Sequence, residues 1–163
     1  LMDLDLRKAS IARMLGMPKG PGLAEYLWGA IPKEDIIRKS SLPGLFIIPG
    51  GMTIPSPADT LAGNKFRTYL RELRTQFDLV ILDTPPVIPV PDAVTIAEQV
   101  DAFILLFRLQ HTPHQLFRQA LEDLGERKIM GVVLNGEEKK SDKYYTRYYG
   151  KYYKTPHPEG NAR

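Results

Sequence analysis

The chain has 163 residues, 43% hydrophobic and 25% charged, with a net charge of +3 and no cysteine. This is the composition of one globular domain able to bury a core. It excludes disulfides, thiolate metal sites and cysteine nucleophiles, and its mild positive charge compels neither nucleic acid nor membrane as a partner.

Leu1 to Arg7 alternates apolar Met2, Leu4 and Leu6 with charged Asp3, Asp5 and Arg7. Period two predicts a strand with both carboxylates and the guanidinium on one side. The residues leave two readings open: a half-solvated edge strand, or a paired-carboxylate site in which a cation or Arg7 offsets the repulsion. The chain opens on Leu1, inside this predicted strand, so an amino-terminal portion is expected to precede it. A short helix is predicted over Ala9 to Leu15 and a loop over Gly16 to Gly22. The Gly-Pro-Gly of Gly20 to Gly22 lacks the spacing of a phosphate loop and reads as a plain loop. Leu23 to Trp28, ended by Gly29, and Lys33 to Lys39 read as short helices.

Leu45 to Ile48 reads as a strand closed by Pro49-Gly50-Gly51. Ser56 as cap, Pro57 at the first helical position and Asp59 then open a helix. Its stripe of Phe66, Leu70, Leu73 and Phe77 is expected to be buried. Arg67, Arg71 and Arg74 lie off that stripe, on a solvated face or against a neighbouring subunit. Leu79 to Leu82 is an unbroken apolar run ending in Asp83, then Thr84, Pro85 and Pro86. Such a run suits a parallel strand covered on both faces, and the prolines mark where its pairing stops. Asp83 then lies at the carboxyl end of a central strand, where open α/β sheets hold ligands. It is expected to face a metal-bound nucleotide.

Asp92 to Val100 predicts a helix with Val94, Ala97 and Val100 inward, and Phe103 to Phe107 a buried strand. Thr112 and Gln115 repeat the capping pattern before a helix burying Leu116, Ala120 and Leu124, with Gly125 at its end. Met130 to Leu134 is the last strand, ending at Asn135. His111, His114 and His157 show no ligand spacing. The alternation predicts an α/β fold, a mostly parallel sheet with helices on both faces. From Glu137 the chain turns polar and basic, with Tyr144, Tyr145, Tyr148, Tyr149, Tyr152 and Tyr153 among lysines and arginine. Lacking large aliphatic residues, it is expected to be a flexible tail. Three readings of it stand: a helix stacking the tyrosine pairs, a single-strand nucleic-acid contact, or tyrosines that are themselves substrates. The division predicted is therefore 1–136 as a nucleotide-binding domain and 137–163 as tail.

Together these pieces resemble the bacterial tyrosine autokinases of capsule and exopolysaccharide assembly, members of the deviant P-loop ATPases. The family's Walker A′ motif is apolar residues followed by Asp-x-Asp-x-Arg, here Leu1 to Arg7. Its Walker B motif ends Asp-Ser/Thr-Pro-Pro, here Leu79 to Pro86. Its carboxyl-terminal tyrosine cluster is matched by Tyr144 to Tyr153. The family's Walker A loop, Gly-x-x-Gly-x-Gly-Lys-Ser/Thr, has no counterpart here and is expected upstream, with a mid-sheet strand. Ala9 stands where many relatives have proline.

The resemblance implies ATP and Mg²⁺ as cofactors and autophosphorylation of the tail as the reaction. It gives Asp83 to the metal, and Asp3 to the acceptor hydroxyl as base and to the metal's water shell. Asp5 positions the acceptor, Arg7 orients the carboxylate pair, Thr84 lines the pocket and Asn135 contacts adenine. It also implies a membrane-bound co-polymerase partner, a homo-oligomeric ring, no nucleic acid, and a location at the inner face of the bacterial plasma membrane. The competing readings are a partition- or septum-type ATPase and a catalytically incomplete remnant.

Overall fold

The computed structural model describes residues 1–136 except 19, 89, 126 and 127. Strand β1, Met2–Asp3, lies at the centre of one half of the structure. A parallel bridge joins Met2 to Ile48 on one side. On the other side β1 pairs in parallel with a later strand, in the register Met2 to Leu82 and Asp3 to Asp83. The predicted strand stops at Asp3. Leu6 N–H turns back to the Leu4 carbonyl, and Asp5 N–H to the Asp3 side chain. Asp5 and Arg7 therefore occupy a turn, and do not share one side of a strand with Asp3.

Helix α1, Ile11–Met14, and helix α2, Leu23–Leu27, follow as short elements. The predicted helix over Lys33 to Lys39 is one 3₁₀ turn, Lys33–Ile36, and then strand β2, Arg38–Lys39. Strand β3, Phe46–Ile47, pairs antiparallel with β2. Helix α3, Pro57–Ala62, and helix α4, Asn64–Gln76, are separated at Gly63, whose extended backbone interrupts the single helix expected. Pro57 holds the first position, but the Ser56 hydroxyl makes no cap; its carbonyl accepts from Thr60 instead. Strand β4, Leu82–Asp83, is the partner of β1. Helix α5, Asp92–Thr95, and a 3₁₀ turn, Ala97–Gln99, replace the longer helix expected.

Strand β5, Phe103–Arg108, helix α6, His114–Leu124, and strand β6, Ile129–Asn135, complete the described chain. The two strands pair in parallel. Gly125, at φ +78, ends α6 as its position requires. Thr112 does not cap that helix; its hydroxyl accepts from Arg108 N–H at 3.1 Å.

Two cores result. The larger collects Met2, Leu4, Leu23, Leu61, Phe66 and Leu73, so the α4 stripe packs as its spacing requires. The smaller joins Ala93, Leu105 and Leu124. Val94 and Leu116, expected inside, are exposed. The β4 run is covered on one face only. Val80 and Leu82 pack against the larger core, while Leu79 is 73% and Ile81 52% exposed. Ile104 and Leu106 of β5 are likewise bare. Among the described residues no strand pairs with the second edge of β4 or of β5. Both strands border one cleft of about 500 Å³ that runs along Asp83, Thr84, Pro86, Ile104, Leu106 and His111.

Candidate active site

The parallel register sets Asp3 beside Asp83 on adjacent strands, at the end where both leave the sheet. Leu4 N–H donates to the Asp83 carbonyl at 2.7 Å, so the two strand ends are tied. This is the convergence that the two acidic motifs required.

Asp3 is only 1% exposed. Its Oδ1 accepts from Asp5 N–H at 3.1 Å, and its Oδ2 from Ser10 N–H at 2.8 Å and Ile11 N–H at 3.0 Å. Three backbone donors therefore converge on one buried carboxylate, and Asp3 gathers the whole turn from Leu4 to the start of α1. Asp5 is half-buried. Its Oδ1 accepts from Arg7 N–H at 3.2 Å and Lys8 N–H at 2.9 Å. Both bonds go to one oxygen, which leaves Oδ2 without a hydrogen bond among the described residues.

The Arg7 guanidinium makes no hydrogen bond to Asp3 or Asp5 among the described residues. Its Nε donates to Asp92 Oδ2 and its Nη2 to Asp92 Oδ1, each at 3.2 Å. Asp92 holds the Arg7 proton more tightly than usual, and the charge of Asp5 adds a smaller effect. Sequence reasoning missed Asp92. It reads as an ordinary acidic first helical residue, and nothing local marks it as buried.

Asp83 is exposed. Partial desolvation, then the like charges of Asp3 and Asp5, push its carboxyl above the ordinary aspartate value. The ion pairs among the described residues are Arg7–Asp92, Lys33–Glu72 and Arg74–Asp101, so no cationic side chain neutralises Asp83 there. An unneutralised carboxylate beside two others fits a cation site. Among the described residues no three His, Asp or Glu side chains form a metal cage. Magnesium does not need one, because it takes one or two carboxylates and completes its shell with water and phosphate oxygens.

Thr84 is half-buried and lines the cleft with Asp83. Asn135 lies at the end of β6 opposite Arg108, with its Oδ1 accepting from Gly136 N–H at 2.8 Å. It does not border that cleft. The six tail tyrosines lie outside the described residues.

The turn packs on a glycine-lined floor. A Cβ at Gly22 would sit 2.3 Å from the Pro49 carbonyl oxygen, and one at Gly50 2.7 Å from the Ala9 Cβ. Glu25 completes this floor, accepting from Gly22 N–H at 2.9 Å and Met52 N–H at 3.1 Å. A second cleft of about 500 Å³ lies here, bordered by Asp3, Ala9, Arg13, Gly50 and Gly51.

Helices packed on parallel strands, with paired acidic strand ends, define an α/β fold of the P-loop-NTPase-like class. Comparison with known proteins narrows this. No protein-family model matches the chain. The tyrosine-protein kinase ptk of Acinetobacter johnsonii is 31% identical over 147 residues, which is 88% of this chain and 20% of that protein. The solved kinase domain of VpsO is 33% identical with a TM-score of 0.78, over 84% of this chain and 69% of that one. The septum site-determining protein MinD of Pyrococcus horikoshii, solved with Mg-ADP, is 18% identical with a TM-score of 0.59, over 82% of this chain and 54% of that one. That last likeness is one of fold alone. The chain belongs to the bacterial tyrosine-protein kinases, and it spans about a fifth of the length of the first curated relatives it matches.

Proposed function

We propose that this chain is part of an ATP- and Mg²⁺-dependent protein-tyrosine autokinase that phosphorylates its own tyrosine cluster, Tyr144, Tyr145, Tyr148, Tyr149, Tyr152 and Tyr153. The observation that carries the reading is the register of Asp3 with Asp83, which puts the Asp-x-Asp-x-Arg turn against the Asp-Thr-Pro-Pro strand end. Phosphoryl transfer needs positioning and charge neutralisation more than covalent chemistry. Magnesium would supply that neutralisation at Asp83, which has no cationic partner among the described residues.

The proton acceptor for the tyrosine hydroxyl falls to Asp5 in place of Asp3. A phenol with an ordinary pKa near 10 needs a positioned base or a nearby cation at neutral pH. Asp5 offers an open Oδ2, whereas both oxygens of Asp3 are committed to backbone amides. Asp3 fixes the turn beside Asp83, and its assignment to the metal's water shell rests on family likeness alone. Thr84 lines the pocket, and Asn135 is assigned to the adenine end on family likeness alone.

Each phosphotyrosine would add about −1.5 to −2 charges at pH 7. The basic tail would become acidic, loosen a homo-oligomeric ring and so gate exopolysaccharide or capsule polymerisation and export. The partner is a membrane-bound co-polymerase, and the site of action is the cytoplasmic face of the bacterial plasma membrane. No helix among the described residues is long and apolar enough to cross a membrane.

The test is incubation of the whole protein of which this chain is part with radioactive γ-labelled ATP and Mg²⁺, followed by phosphoamino-acid analysis. Label on tyrosine supports the kinase. Free phosphate alone would point to a partition-type ATPase, and no turnover to an incomplete remnant.

A further inference from the structure

The turn between Asp3 and α1 is held at two places, and the proposed chemistry uses only the first. Among the described residues, the buried charged side chains are Asp3 and Asp92, each 1% exposed. Asp3 holds the turn from inside through three amides. Asp92 holds it from 85 residues further on, through the two parallel bonds to Arg7. Such a fork fixes the guanidinium in plane as well as in distance, which a point charge cannot do.

The base of this contact is firm. Asp92 opens α5, whose next residue, Ala93, is buried in the smaller core. Ile96, just beyond α5, is buried in the larger one. The segment carrying Asp92 therefore belongs to both cores, while the Arg7 side chain is 38% exposed at the rim. A released guanidinium could turn into solvent without stranding a buried cation. Losing the contact would free the middle of the turn, where Asp5 lies two residues from Arg7.

We infer that Asp92 is a positioning residue of the site: through Arg7 it fixes the Asp-x-Asp-x-Arg turn, and so the open oxygen of Asp5, relative to Asp83. The two strands set one end of the turn by Asp3 and Asp83. The Arg7–Asp92 fork sets the other against the chain that follows Asp83. The inference rests on the phosphoryl-transfer reading for its consequence, but not for its geometry.

The experiment compares Asp92→Asn, Asp92→Glu and Arg7→Lys with the parent, all made in the whole protein of which this chain is part, by two readouts. One is amide hydrogen exchange at Lys8, Ser10 and Ile11, referenced to Leu70 and Leu73 in α4. The other is the rate of tyrosine labelling as a function of ATP. With Asp92→Asn, exchange in the turn accelerates while α4 stays protected. The labelling rate at saturating ATP falls roughly tenfold to hundredfold, the scale of a small misplacement of reacting groups, and KM for ATP changes little. Asp92→Glu, which keeps the charge, recovers more of the rate than Asp92→Asn. Arg7→Lys keeps a charge but loses the fork and falls between.

Unchanged exchange in the turn, or acceleration that α4 shares equally, overturns the inference. So does an unchanged labelling rate in a parent that labels tyrosine. If the parent itself places no label on tyrosine, the kinase reading fails, and the exchange data alone decide whether Asp92 fixes the turn.

Discussion

Asp3 and Asp5 are two residues apart and chemically identical, yet the structure assigns them opposite sensitivities. Asp3→Asn keeps one carbonyl oxygen in a pocket that feeds three backbone donors. Turned toward Ser10 and Ile11, that oxygen still accepts two bonds, but the new amide then faces Asp5 N–H, donor against donor. One part-buried donor is stranded and two bonds lose their charge. At about 1–3 kcal/mol for a stranded donor and a few tenths to about 1 for each weakened bond, the cost is roughly 2–4 kcal/mol. Relief of repulsion with Asp83 subtracts from this only modestly, because Asp83 is exposed. For a domain of this size the midpoint of thermal unfolding drops by roughly 5–15 °C. Asp5→Asn is different. Its Oδ1 survives as a carbonyl and goes on accepting from Arg7 and Lys8, so stability stays within about 1 kcal/mol of the parent. Urea titrations followed by far-UV circular dichroism on both variants read these values directly. On the proposed chemistry Asp5→Asn nevertheless abolishes most tyrosine labelling. Equal destabilisation by the two variants, or an Asp3→Asn protein as stable as its parent, would refute the assignment of Asp3 as the organiser of the turn.

Asp83 carries a pH signature. Its carboxyl is raised above the ordinary 3.8, so the folded state binds this proton more tightly than the unfolded chain. Its stabilising contribution is full below 3.8 and is lost as the pH rises through the elevated folded value. Asp83→Asn is therefore more stable than the parent at neutral pH, and the difference closes as the pH falls to 3.8; parallel thermal melts across that range check it. Gly22→Ala places a Cβ against the Pro49 carbonyl oxygen and costs about 1–3 kcal/mol. Gly131→Ala meets nothing within 4 Å, and urea midpoints should leave it within about 0.5 kcal/mol of the parent. Phe66→Ala empties a fully buried position in the larger core, and chemical denaturation should register a loss of about 3–5 kcal/mol.

The alternation of apolar runs and helical stripes conveyed the parallel pairing around β1 and β4 and the burial of Phe66, Leu70 and Leu73, because those signals are local and periodic. It overextended β1, because Met2, Leu4 and Leu6 are all buried. Alternating burial is the mark of a strand, yet here the last two are buried by a turn. The break at Gly63 was also hidden, since one glycine among helix-forming neighbours is tolerated often enough to pass. At the site, Asp83 was legible as the end of an apolar run, whereas the approach of Asp3 to it was implied by the resemblance of the two motifs to the family and not by the alternating pattern around Asp3. The Arg7–Asp92 contact was not legible. It joins residues 85 apart, and in sequence a buried aspartate is indistinguishable from an exposed one. The same blindness put Ser56 and Thr112 at helix caps: the Ser56 hydroxyl makes no cap bond, and the Thr112 hydroxyl accepts from Arg108 N–H instead.

The bare side chains along β4 and β5 bear on how this 163-residue chain behaves when purified by itself. Among the described residues no strand pairs with the ladder edges beside Leu79, Ile81, Ile104 and Leu106, a combination that invites strand-to-strand adhesion between copies of this chain. Self-association through those edges would grow with concentration and ignore nucleotide, whereas assembly tied to the tyrosine cluster would respond to ATP. Sedimentation at several loadings, with and without ATP, tells stickiness from a regulated ring.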